Sequence, residues 1–275
     1  MDTRIELPLE TTGDGGTGAW PQDREALPQA ARHASPQALE HSAGAPMVVR
    51  LSGPLSETTA HPLVDRLCAL LRRHGAVVAD VSAIELRHSG AVHAFTEAAA
   101  RAGEWPDVRL AVAAPDLTCA ALLVSSRVAE RVPVHPDVAT ALAHLDERPE
   151  LVRGWWRFGI DPRAPGDARQ HVRRVCGSWS VDDEAREAAE IVVTELVTNA
   201  VEHAVSASVV EVERTAHSLR LTVRDFDLAP LPEARLPEPT SPRGRGLAMV
   251  AAVATTWGVE AHRDGKTVWV EMATV

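Results

Sequence analysis

The sequence predicts an α/β (α+β) protein of two domains, and three observations carry that prediction. Its 275 residues are enough chain for two hydrophobic cores. From Met47 to about residue 147, short apolar runs alternate with stretches of helical period, the pattern of strands exchanging with helices. Beyond residue 155 the order changes, and two helical patterns follow a first strand before alternating strand patterns appear near the C-terminal end.

Residues 1–46 mix Gly, Pro, Gln, Ala and charge with little apolar periodicity, so they are expected to be a disordered tail. Met47-Val-Val-Arg-Leu51 then reads as a strand, Ser52-Gly-Pro54 as a turn, and 59–74 as a helix with Leu63, Leu67, Leu70 and Leu71 on one face. Ala76 to Val81 is a buried strand, a second helix follows Ser89-Gly90, and Val108 to Val112 is another strand. A helix over about 116–129, a short strand at Val132-Pro-Val134 and a helix from Asp137 to Leu145 complete a first domain at 47–148. The second domain, 149–275, follows without a long flexible linker, so the two are expected to pack together. Trp155, Trp156 and Phe158 fit either an interdomain contact or the first strand of that domain. A helix over 167–178 comes next, and a longer one starts near Val181-Asp-Asp183, where aspartates suit the positive end of the helix dipole.

Composition narrows the function classes. Lys plus Arg total 28 against 38 Asp plus Glu, a balance that argues against general nucleic-acid or anionic-membrane binding. Cys68, Cys119 and Cys176 lie far apart in no metal-ligand spacing, so neither a disulfide framework nor a zinc site is expected. No apolar run approaches the roughly 20 residues that span a bilayer, and a cytoplasmic protein is expected. Lys266 is the only lysine in the chain, which is either chance under a coding bias toward Arg or a requirement for an ammonium, which a guanidinium does not replace.

The most informative stretch is Glu195-Leu-Val-Thr-Asn199-Ala-Val-Glu-His203-Ala204. At about 100° per residue, Glu195, Asn199, Glu202 and His203 share one helix face, while Val193, Leu196, Val197, Ala200 and Val201 fill the other. A carboxylate can orient or deprotonate a nucleophile, and a carboxamide oxygen suits Mg²⁺. Taken alone, the same face is equally a solvated polar stripe. Further on, Asp225 follows the alternating run Leu219-Arg-Leu-Thr-Val223, Gly244-Arg245-Gly246-Leu247 opens an apolar helical stretch, and Gly265-Lys-Thr-Val-Trp-Val begins a closing strand.

In that order these motifs resemble the histidine-kinase-like ATPase superfamily. The wording "ELVTNAVEHA", "GRGLAMV" and "GKTVWVEM" looks most like the anti-sigma-factor serine kinases of bacterial partner switching, over roughly 155–275. The resemblance implies an α/β sandwich with helices on one face of a mixed sheet, binding ATP and Mg²⁺. It makes Glu195 the base that activates the attacking hydroxyl or water and Asn199 the Mg²⁺ ligand, and makes Asp225 the acceptor of the adenine amino group. His203 either contacts phosphate or packs. Gly244, Arg245, Gly246 and Leu247 would receive phosphates at a helix N-terminus, with Arg245 either a phosphate contact or a surface arginine. Thr267 would join the adenine-side water network, and Lys266 is expected in a structural or a rim role. Many superfamily members carry glycines two and four residues after the aspartate. Asp227 and Ala229 stand there in this chain, and a carboxylate near the base lowers the expected nucleotide affinity.

The first domain, through "VVRLSGPLSETTAHPLVDRLCALL" and "VPVHPDVATALAHL", resembles the STAS domain of anti-sigma-factor antagonists. That family carries Asp-Ser-Ser-Gly or Asp-Ser-Thr-Gly around its phosphoacceptor serine. Arg87-His88-Ser89-Gly90 occupies the place here, a degenerate acceptor loop with His88 at the acceptor position. Ser89 is read as a helix N-cap or as a displaced acceptor.

The expected function is therefore an ATP-binding regulator of partner switching. It would act as a serine/threonine kinase on a STAS-type antagonist and sequester a sigma factor. The alternative is a non-catalytic interaction module, nucleotide-responsive or nucleotide-free. A sensor histidine kinase fits less well, because His171 sits in a short helix rather than a long helical hairpin. Homodimers are common among the resembled kinases, and the sequence leaves the oligomeric state open.

Overall fold

The computed structural model describes residues 2–7, 45–202, 204–227, 250 and 252–274. They form two five-stranded sheets, each with its own core.

The first sheet contains β1 (Asp2–Glu6), β2 (Met47–Leu55), β3 (Ala76–Leu86), β4 (Arg109–Ala113) and β5 (Val134–His135) in that spatial order, every pair parallel. Between the strands run α1 (Glu57–His74), a 3₁₀ turn (Ser89–His93) leading into α2 (Ala94–Ala102), and α3 (Leu117–Ser125). Helix α4 (Val138–Ala143) follows β5. Local chemistry sets the helix starts: Asp116 and Asp137 each accept a backbone N–H three residues on, from Cys119 and Thr140, at 2.8 Å. Val77, Ala79 and Val81 pack with Leu63, Leu67, Leu71, Phe95 and Leu123, while Ala76 and Val78 turn the other way toward Ala141 and Leu145. Helices thus cover both faces, which explains why β3 begins as an unbroken apolar run rather than an alternating one.

Two expectations are corrected here. The stretch 1–46 does not begin as a disordered tail: residues 2–6 add an outer parallel strand, and Ile5 and Leu7 are buried in the first core. Residues 8–44 lie outside the described residues. Ser89 is not the N-cap, because His88 occupies that position and makes no capping bond with its side chain.

The second sheet contains β6 (Val152–Phe158), β7 (Ser208–Arg214), β8 (Ser218–Asp225), β9 (Thr256–His262) and β10 (Gly265–Ala273), in the order β6-β7-β8-β10-β9. Every pairing is antiparallel, not mixed as expected. The reason lies in the connections. Helices α5 (Ala164–Ser178) and α6 (Asp183–Glu202) together link β6 to β7, and two helices return the chain to the end where β6 finished. Short turns join β7 to β8 and β9 to β10. Both helices lie on one face, where Val210, Val212, Leu219, Leu221, Val223, Val268, Val270 and Met272 meet Val172, Val192, Val193, Leu196 and Val197.

The domains are in direct contact. The indole N–H of Trp179, fully buried at the end of α5, donates to the Trp105 carbonyl at 2.8 Å. Arg174 pairs with Glu104 at 2.5 Å, Arg131 with Glu213 at 3.1 Å, and the Leu151 N–H donates to the Glu130 carbonyl at 2.7 Å. Burial pushes the Glu104 carboxyl up, and the Arg174 hydrogen bond and charge offset part of that shift. Strand alternation divides the aromatic residues of β6. Trp156 and Phe158 pack around His171 of α5, whereas Trp155 lines a cleft of about 680 Å³ between the open face of this sheet and the first domain.

All three cysteines are free and buried, and burial pushes the Cys176 thiol up to about 12, so it is inert as a nucleophile. Among the described residues, no helix is long and apolar enough to cross a membrane.

Candidate functional site

Helix α6 carries Glu195 and Asn199. It starts at Asp182, whose carboxylate accepts the Ala185 N–H at 2.9 Å, and Asp183 and Glu184 fill its first turn. An ion-pair fork ties it to α5: Arg173 Nε donates to Glu190 Oε1 at 2.9 Å and Nη2 to Oε2 at 2.5 Å. Val193, Leu196, Val197 and Ala200 are buried against the sheet, which leaves Glu195 and Asn199 half-buried one turn apart. Among the described residues neither side chain makes a hydrogen bond or ion pair.

Past Glu202 the helix is closed by Ala204 N–H to Asn199 carbonyl and Ser206 N–H to Ala200 carbonyl bonds, each 3.1 Å. Val205 takes the turn with φ of 45°, a backbone region that costs a β-branched residue energy. The Ser206 hydroxyl accepts the Phe226 N–H at 3.1 Å, which links the end of α6 to the end of β8.

Asp225 sits at that strand end, on the helix-facing side with Leu221 and Val223, and is buried. Directly opposite on β10 is Lys266, whose Nζ lies 2.9 Å from Asp225 Oδ2 and 3.8 Å from Asp227 Oδ2. The Asp227 N–H donates to Asp225 Oδ1 at 3.3 Å. Gly265 makes this approach possible: a Cβ on it would meet the Asp225 carbonyl oxygen at 2.0 Å, and its φ is 147°.

The structure separates two residues that the sequence placed together. On β10, Val268, Val270 and Met272 face the helices, so Lys266 does too, while Thr267 points to the opposite face. There its hydroxyl meets His262 Nε2 at 2.8 Å, among Arg224, Glu260 and Thr222 on the wall of the interdomain cleft. Thr267 therefore does not join Asp225, and of the two roles expected for Lys266 the ion pair with Asp225 is the structural one. The two-residue period of β10 carried that signal, and motif matching alone missed it. His203, Gly244, Arg245, Gly246 and Leu247 lie outside the described residues.

In the first domain His88 and Ser89 are exposed, and the Ser89 hydroxyl makes no hydrogen bond among the described residues. The strand before them carries a different constraint. Burial raises the Asp80 carboxyl, but the Ser82 hydrogen bonds and the Arg50 guanidinium outweigh it and hold the group below the ordinary carboxylate range.

Magnesium fits this donor set. Among the described residues no group of three or more His, Cys, Asp or Glu could cage a metal. An accessible carboxamide at Asn199 suits an ion that keeps waters and takes most of its other ligands from phosphates.

Residues 159–272 match the family described as the histidine kinase-like ATPase domain, a stretch that holds α5, α6 and strands β7 to β10. Among solved structures, the chain is similar to the RsbU and RsbW domains of Rv1364c from Mycobacterium tuberculosis, at 18% identity and a TM-score of 0.35. That similarity covers 45% of this chain and 33% of the other, so the chain spans about a third of that protein's length. No curated protein matches the chain.

Proposed function

We propose that the chain is an ATP-binding regulator of partner switching, whose ATPase-type domain transfers phosphate to a serine or threonine of a STAS-type antagonist. The observation that supports this reading is the Glu195 and Asn199 pair, one turn apart, half-buried and, among the described residues, without a competing partner. Asn199 would hold Mg²⁺ between the nucleotide phosphates, and the ion would neutralise charge that develops on them. Glu195 would take the proton of the attacking hydroxyl as its oxygen bonds to the γ-phosphorus. The bond from that phosphorus to the bridging oxygen then breaks and ADP leaves. Asp225 would accept the adenine amino N–H. Phosphoryl transfer asks chiefly for positioning and charge neutralisation, so few catalytic side chains are needed.

The first domain, with alternating strands and helices and an exposed His88-Ser89 loop, fits a STAS-like unit with a degenerate acceptor. Its partners on this reading are a sigma factor, a STAS-type antagonist, or both.

A second reading, nucleotide binding without turnover, draws on Asp227, which stands where the resembled family has glycine. Transfer of a radiolabelled γ-phosphate from ATP to a STAS-type antagonist carrying the acceptor serine separates the two. The kinase reading expects transfer by the full chain and loss by at least 100-fold in Glu195→Gln, in line with removal of a general base. Absence of transfer with retained ATP binding leaves the binding module.

A further inference from the structure

Lys266 is the one lysine in a chain that otherwise uses arginine, and it lies across the strand pair from the aspartate assigned to the base. Its side chain is only 23% exposed and that of Asp225 10%, so the pair is largely withdrawn from water. An ionised carboxylate offers acceptors alone and can receive an amino N–H, but it has nothing to give a ring nitrogen. An ammonium carries three N–H donors, and Asp225 at 2.9 Å uses one of them, with Asp227 more distant at 3.8 Å. The two side chains thus present an acceptor and a donor next to each other. The edge of adenine that bears the exocyclic amine has the complementary order, with a donor at the amine and an acceptor at N1.

We propose that Lys266 is a specificity-determining residue of the nucleotide site, donating a hydrogen bond to adenine N1 while Asp225 accepts from the exocyclic amine. The assignment rests on the nucleotide reading proposed above. Lys266 also counters the negative charge of Asp225 and Asp227, so the base pocket does not repel a polyanionic ligand. An arginine would not serve equally, since its planar fork is larger and would pair with the carboxylate through two of its donors.

The test compares ATP with 1-deaza-ATP, which lacks only the N1 acceptor, by titration calorimetry on the full chain and on Lys266→Met. A hydrogen bond from a charged donor predicts that the natural chain binds ATP about ten-fold or more tightly than the deaza analogue. Lys266→Met is expected to bind both alike, at the weaker affinity. The comparison within the natural chain requires no substitution, so a folding defect in the variant cannot mask the answer. If ATP binds and the natural chain does not discriminate, or if Lys266→Met keeps the discrimination, this role for Lys266 is wrong and the nucleotide site stands. If the natural chain binds neither compound, the site reading falls and this role falls with it.

Discussion

The Trp179 indole, at the end of α5, donates its N–H across 2.8 Å to the carbonyl of Trp105 in the first domain. The Trp105 ring packs against the core of the second domain, and Glu104 beside it reaches Arg174. These contacts fall on the helix that braces α6, so the two cores are expected to unfold as one unit. Trp105→Ala keeps the carbonyl and removes the ring. It should cost about 2–3 kcal/mol and separate the melting of the two domains, as seen by calorimetry. A single transition at the natural temperature would mean that the interface adds nothing.

Acid should weaken the fold before the carboxylates titrate. Burial, then the Arg174 charge, pushes the His171 imidazole down, with Asp167 opposing; burial and His144 do the same to His135 against Glu147 and Asp137. A histidine whose folded value lies below the ordinary 6.5 leaves the unfolded chain to take up protons first as pH falls. Stability is therefore lost below that value and restored above it. Urea midpoints at pH 7.5 and 5.5 should fall on acidification, and fall less in the double variant His135→Gln, His171→Gln.

Gly265→Ala should damage the site without touching a proposed ligand contact. Its Cβ has no room against the Asp225 carbonyl, and its backbone lies where L-residues are strained. The end of β8 must shift, moving Asp225 relative to α6. We expect a loss of about 1–3 kcal/mol in stability and a larger proportional loss in ATP affinity, measured by urea unfolding and calorimetry.

Val205 offers the opposite test. It is 64% exposed and has positive φ, so the side chain gains little from packing while the backbone is strained. Val205→Asn should stabilise the domain by about 1 kcal/mol, read from thermal unfolding, because asparagine tolerates this conformation better.

Much of this architecture is legible in the sequence because its determinants are local. The Val and Ala run of β3, the leucine face of α1, the aspartates before α6 and the alternation in β8 each specify their element within a few residues. Strand β1 is not legible, since its five residues hold little periodicity and owe their place to pairing with a strand about 45 residues away. The antiparallel sheet follows from how two consecutive helices turn the chain, which motif order does not encode. The pairing of Lys266 with Asp225 depends on the cross-strand register of β8 and β10, although the alternation of Val268, Val270 and Met272 already places Lys266 on their side.

If Glu195, Asn199 and Asp225 frame a magnesium-dependent ATP site as proposed, calorimetric titration of ATP into the full chain should show saturable binding that Mg²⁺ strengthens. Asn199→Ala should lose that strengthening. Absence of ATP binding, or equal magnesium dependence in both proteins, would contradict the proposal.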